Sequence, residues 1–195
     1  MTVIRQDDLI DSVADALQFI SYYHPVDFVQ AVHEAYEKEQ NPAAKDAMAQ
    51  ILINSRMCAQ GHRPICQDTG IVTVFLKIGM NVQWDASMSV ADMINEGVRR
   101  AYTHPDNVLR ASILEDPAGA RRNTKDNTPA VIHMEVVEGD TVDVQVAAKG
   151  GGSENKSKLV MLNPSDSIVD WVVKTIPTMG AGWCPPGMLG IGIGG

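Results

Sequence analysis

The chain has 195 residues, 45% of them hydrophobic and 21% charged, which excludes a disordered tail, a coiled coil and a collagen-like chain. Its 16 Lys and Arg against 24 Asp and Glu leave a formal charge of −8, so the surface repels nucleic acid and anionic membranes, and an anionic substrate needs locally gathered cations. No stretch approaches the ~18 apolar residues of a membrane span, the polar start shows no signal peptide, and three cysteines are too few for a disulfide scaffold; a reducing cytoplasm is expected.

In chain order, residues 6–20 read as an amphipathic helix with Leu9, Ile10, Val13, Ala14, Leu17 and Ile20 on one stripe. Pro25 opens a second helix, with Val29, Val32 and Tyr36 inward. Asn41-Pro42 is an N-cap followed by Pro at the first helical position, and that third helix runs to about Gln60 and stops at Gly61. The β-branched run 71–79 reads as a buried strand, and 89–102 returns to helix. Residues 103–128 are a long polar loop, a length that usually signals function. Two alternating runs around Glu138-Gly139-Asp140 predict a hairpin over 130–148. Helices are expected near 154–162 and over 164–176, the latter opened by Asn163-Pro164 and ended by Pro177 and Gly180. The fold class is α+β: a helical segment, 1–62, packed on a mixed, largely antiparallel sheet with covering helices, within a continuous portion 63–195. The Gly-rich ending MLGIGIGG predicts a truncated chain.

Three segments could carry chemistry. Cys66-Gln67-Asp68-Thr69-Gly70 places a thiol, an amide, a carboxylate and a hydroxyl side by side before a buried strand, although taken alone it reads first as a turn with a small buried Cys. Lys149-Gly150-Gly151-Gly152-Ser153-Glu154-Asn155-Lys156 follows a strand. Its glycines permit close backbone approach, Ser153 can cap a helix and two lysines bracket it, so it reads as an anion site. It narrowly misses the nucleotide phosphate-binding loop, because Asn155 stands where the second Gly is required. Trp183-Cys184-Pro185-Pro186 holds a thiol before two rigid residues, and Cys-Pro recurs among iron–sulfur ligands. Arg110 offers a planar fork suited to a carboxylate, but taken alone it reads first as a solvated surface charge. Cys58 sits in a helical pattern and reads as structural, and the five histidines (24, 33, 62, 104 and 133) show no ligand spacing.

Taken in order and at these separations, the three segments resemble the class I fumarases, the oxygen-sensitive iron–sulfur hydro-lyases related to the L-tartrate dehydratase α subunit. Asn54-Ser55, Arg63-Pro64 and the ending from Gly190 share the resemblance, which covers the chain from its helical start onward. It implies interconversion of malate with fumarate and water on a [4Fe–4S] cluster whose open iron acts as a Lewis acid. It implies Cys66 and Cys184 as cluster ligands. Gln67, Asp68, Arg110, Gly152, Asn155 and Lys156 would be substrate contacts, with Asp68 as the proton-transferring group. The third cluster cysteine is expected beyond a point equivalent to Gly195, and further site residues on a C-terminal domain or β subunit, so this chain alone is expected to be inactive. A homodimer of the full enzyme is expected as well. Tartrate or another hydroxydicarboxylate is the alternative substrate, and a nucleotide- or anion-binding protein using 149–157 the alternative class.

Overall fold

The computed structural model describes residues 2–183 and 187–194, with Ser153 and Glu154 described by backbone only. The chain divides into two compact units, Met1–Lys149 and Gly150–Gly195.

The first unit opens with a short strand β1 (Val3–Arg5) and three helices, α1 (Gln6–Tyr22), α2 (Val26–Lys38) and α3 (Pro42–Gly61). The stripe read on α1 is its buried face: Leu9, Ile10, Val13 and Leu17 are at most 3% exposed. Helix α3 starts as its letters dictate, with Asn41 Oδ1 accepting the N–H groups of Ala43 and Ala44 and Pro42 in the first turn. It stops after Gly61, but the left-handed residue is His62 (φ 48°), whose ring stacks on Tyr22 at 4.1 Å. Of the inward trio expected on α2, only Val32 is fully buried.

Strands β2 (Ile71–Gly79), β6 (Val131–Val137) and β7 (Val142–Lys149) form the main sheet. Its order is β6-β2-β7, with β2 parallel to β6 and antiparallel to β7. The sheet is therefore mixed, and the fold α+β as expected. The hairpin over 130–148 does not form: its two arms stand apart with β2 between them. Val72, Val74 and Leu76 of β2 are 0–1% exposed, so this strand needs a neighbour on each side to satisfy its backbone. β7 keeps Val142, Val144 and Val146 partly buried on one face, whereas in β6 only Ile132 and Val137 are partly buried, and both strands suit the edges. Their connection caps the end of β2, because Gly79, Met80 and Asn81 donate to the carbonyls of Thr141, Val137 and Gly139.

Helix α4 (Val90–Tyr102) is capped by Ser89, whose hydroxyl accepts Asp92 N–H. It lays Met93, Ile94, Val98 and Ala101 into the core shared with α1 and the inner sheet face. The two helices touch at Gly97, where a Cβ would lie 2.7 Å from Ile10 O and 2.8 Å from Val13 Cβ. Four short strands escaped the sequence reading: β1 and its partner β3 (Gln83–Asp85), and the two-residue strands β4 (Leu114–Glu115) and β5 (Arg122–Asn123) inside the long loop. Each is too short for its pattern to rise above the surrounding polar sequence.

In the second unit, α5 (Gly151–Glu154) is a single turn and α6 (Ile168–Thr175) continues into a 3-10 turn, Ile176–Met179. The helix expected near 154–162 is absent beyond that turn. Leu159 and Met161 are 93% and 90% exposed, and a short helix with no buried face is unstable. Nor does Asn163-Pro164 open the next helix. Asn163 bonds the Asp166 carboxylate in a turn, and Ser167 caps α6 by accepting Asp170 N–H. Gly180 (φ 67°) follows the 3-10 turn, where an end was expected. No described helix is long and apolar enough to cross a membrane.

Candidate active site

Residues 64–70 run from the end of α3 into β2. Ile65 N–H donates to Ser21 O at 2.9 Å, and Asn54 Nδ2 donates to Ile65 O at 3.1 Å, so α1 and α3 both grip the segment before its first functional residue. At its far end Gly70 takes φ 80°, with no room for a side chain: a Cβ would lie 2.6 Å from the Lys149 backbone. Ile71 then pairs with Lys149 across the sheet.

Between these anchors lie the three side chains the sequence picked out. Cys66 is half-buried; its Sγ accepts Asp68 N–H at 3.4 Å and contacts Gln67 Oε1 at 3.5 Å. Asp68 is half-buried and its Oδ1 accepts Gly70 N–H at 3.2 Å, so the carboxylate turns back over the loop. The other free thiol behaves differently. Cys58 is 5% exposed on α3 and its Sγ donates to Asn54 Oδ1 and Pro64 O, both at 3.6 Å, a packed thiol as its helical pattern implied.

Arg110, 40 or so residues further along, joins this loop. Its Nη1 donates to Gln67 O at 3.4 Å, and its backbone carbonyl accepts the Thr69 hydroxyl. The guanidinium is exposed, and no carboxylate among the described residues forms an ion pair with it. Its fork is therefore available to a ligand carboxylate. Arg110 thus lies against the Cys66–Gly70 segment while its guanidinium stays exposed, a position that the letters alone did not show.

Several residues that hold this arrangement were not singled out in the sequence. Tyr102 OH, at the end of α4, donates to Thr69 O at 2.7 Å. Burial pushes the phenol up to about 12, the hydrogen bonds to Thr69 and Asn127 opposing that rise. Asn127 Nδ2 donates to Gly70 O, and Asn123 Nδ2 donates to Ala111 O, each at 2.9 Å. On α4, Asn95, Arg99 and Tyr102 stand four and three residues apart and form one stripe. They bind Ala130 N–H, the Asp126 carboxylate and Thr69 O respectively. The spacing was visible in the letters, but three polar residues on a helix ordinarily face solvent.

The remaining expected contacts fall in the second unit. Gly152 lies within the α5 turn, Asn155 and Lys156 directly after it, and the Lys156 side chain runs along Gly182, where a Cβ would meet Nζ at 3.4 Å. Ser153 lies inside the turn rather than capping a following helix, so the helix N-terminus expected at this segment is not formed. Cys184 lies outside the described residues. Among the described residues no group of three or more His, Cys, Asp and Glu is gathered to hold a metal ion. Cys66 itself fits a thiolate ligand: the sulfur is accessible and accepts a backbone N–H, the contact that stabilises sulfur ligands of iron–sulfur groups.

Comparison with known proteins gives consistent results. The family model described as fumarate hydratase (Fumerase) matches residues 10–195. A protein of Methanocaldococcus jannaschii provisionally named L(+)-tartrate dehydratase subunit alpha is 36% identical over 193 residues, covering 95% of this chain and 66% of its own length. The L(+)-tartrate dehydratase subunit alpha of Escherichia coli strain UTI89 is 26% identical, covering 95% and 61%. The anaerobic class I fumarate hydratase of Escherichia coli K12 is 32% identical over 165 residues, covering 82% of this chain and 29% of that enzyme. The chain thus spans a little under two thirds of the length of the tartrate dehydratase subunits it matches.

Proposed function

We propose that this chain, which belongs to the fumarate hydratase (Fumerase) family, supplies the cluster-binding and substrate-binding face of an iron–sulfur hydro-lyase that interconverts (S)-malate with fumarate and water. The observation that carries the reading is the meeting of Arg110 with the Cys66–Asp68 loop: a guanidinium open to a carboxylate beside a carboxylate and a thiol.

Dehydration of a 2-hydroxydicarboxylate must remove a weakly acidic C–H and expel hydroxide, a poor leaving group. Arg110 binds one substrate carboxylate through its fork. Gln67 orients the substrate with its side-chain amide. Asp68 takes the proton from the carbon and returns it in the hydration direction. Gly152, Asn155 and Lys156 supply further contacts, in which Lys156 neutralises anionic charge that the net −8 of the chain would otherwise repel. Cys66 and Cys184 would be two thiolate ligands of a [4Fe–4S] cluster, with the third on sequence beyond these residues. Such a cluster, when bound, supplies Lewis-acid activation of the substrate hydroxyl.

A second substrate reading, L(+)-tartrate or another hydroxydicarboxylate, is favoured by the tartrate dehydratase subunits among the relatives, which cover most of this chain. It brings with it a β subunit as partner; a C-terminal domain on the same chain takes that place in the malate reading. A reducing, cytoplasmic setting suits a half-buried free thiol held for a cluster. The nucleotide reading of 149–157 is disfavoured by Asn155 at the second-Gly position, and Gly151 and Gly152 open a single helical turn there. The test is an anaerobic substrate panel on the complete cluster-loaded enzyme: turnover of (S)-malate and fumarate above L(+)-tartrate supports the first reading, the reverse order supports the second, and turnover of neither overturns both. This 195-residue chain alone is expected to show no useful turnover.

A further inference from the structure

Asn127 is 0% exposed and holds a left-handed backbone, φ 62°. Asn tolerates that conformation better than branched or bulky residues. Its amide reaches in two directions. Nδ2 donates to Gly70 O at 2.9 Å, while Oδ1 accepts Ser112 N–H at 2.8 Å and Ile113 N–H at 3.3 Å. Gly70 stands two residues after Asp68, and Ser112 two residues after Arg110. One planar group therefore ties the carboxylate loop to the guanidinium loop. The orientation of the amide is fixed by chemistry, since the reverse would set its NH2 against two N–H donors and its oxygen against a carbonyl. Asp126, the preceding residue, is clamped to α4 by Arg99 Nε at 2.9 Å, so the bridge is itself anchored to the core helix.

We propose that Asn127 is a positioning residue that sets where the Arg110 guanidinium stands relative to Gln67 and Asp68, and so governs carboxylate binding through Arg110. The inference rests on the hydro-lyase reading. Asn127 touches no substrate, and its effect passes through backbone contacts on either side.

The test is a double-mutant cycle in the complete, cluster-loaded enzyme, assayed with the substrate that the panel identifies. Asn127→Asp keeps the shape but sets an oxygen against Gly70 O. Asn127→Gly keeps the left-handed backbone and deletes the bridge, and it serves if the Asp variant does not fold. Each is measured alone and with Arg110→Ala. The expected result is a KM raised about tenfold in the otherwise unaltered enzyme, kcat changed less than about threefold, and a KM effect under about twofold once Arg110 is gone. A KM effect of equal size in both backgrounds would show a general loss of structure and overturn the proposal. So would an unchanged KM in a folded variant, or the failure of both variants to fold. An unaltered enzyme that turns over no hydroxydicarboxylate defeats the functional reading, and this inference with it; normal turnover without coupling defeats the inference alone.

Discussion

Two segments meet the ends of neighbouring strands, and their surroundings differ. Residues 66–70 enter β2 with their backbone stitched to Tyr102, Arg110 and Asn127, above a core whose members Val72 and Val74 are 0% exposed. Residues 150–156 leave β7 into a unit in which no described residue is fully buried. There Val169 and Val173 of α6 are 69% and 63% exposed, and Ile193 is 73% exposed. In the first segment Gln67, Thr69 and Gly70 each accept a side-chain bond from elsewhere in the same unit. The unit that holds the second carries apolar surface of the kind that other protein normally covers. Under the proposed function the proton transfer by Asp68 lies on the first segment and charge neutralisation by Lys156 on the second.

The largest effect should separate the two segments in the complete enzyme. Asp68→Asn is expected to lower kcat by about 10²–10⁴, the range for a lost acid–base group, with KM little changed. Lys156→Ala should mainly raise KM. If Lys156→Ala were the variant that abolished kcat, the division of labour would be reversed. The next contrast is in stability. Leu76→Ala, in a residue 1% exposed, should cost about 2–5 kcal/mol by denaturant titration of this chain, against under about 0.5 kcal/mol for Val173→Ala. A Val173→Ala loss that appears only in the complete enzyme would show that α6 is covered there.

Smaller again is Gly70→Ala. The left-handed conformation costs an alanine about 1–2 kcal/mol, and the Lys149 backbone at 2.6 Å adds a clash, so the melting temperature should drop well beyond that of a surface Gly→Ala change. Tyr102→Phe should cost about 1 kcal/mol at neutral pH through the lost bond to Thr69 O. Its pH dependence has a definite sign. The phenol is raised to about 12 in the folded chain from 10.0, so the folded state holds its proton longer than the unfolded state does. That contribution is complete below pH 10 and is lost as pH rises through about 12, narrowing the gap between the unaltered chain and Tyr102→Phe. A gap that stayed constant from pH 9 to 12 would place the phenol in water.

Much of the helical framework was legible because its signals are local. Asn41-Pro42 states a helix start, and the α1 stripe states a buried face. Cys66, Gln67 and Asp68 drew notice as candidates because a thiol, an amide and a carboxylate stand in a row. What the letters withheld was long-range. Arg110 reads as surface charge until the loop that carries it is laid on Gln67, and Asn127 reads as turn chemistry until its amide is seen to bridge two loops. The Asn163 cap failed because Ser167, with Asp170 three residues on, offers a competing start nearer the apolar stripe.

The position of β2 between β6 and β7 also dictates an order of events. A hairpin can zip as soon as its turn is made, whereas β2 has no strand neighbour until residues 131–149 exist. During synthesis its Val72, Val74 and Leu76 can be shielded only by α1 and, later, α4. Both loops of the candidate site must then wait for this late insertion, since Gly70 reaches its place only when Ile71 pairs with Lys149. Such non-local pairing slows folding, and a nascent chain halted before residue 131 would carry an unpaired apolar strand prone to associate with its copies.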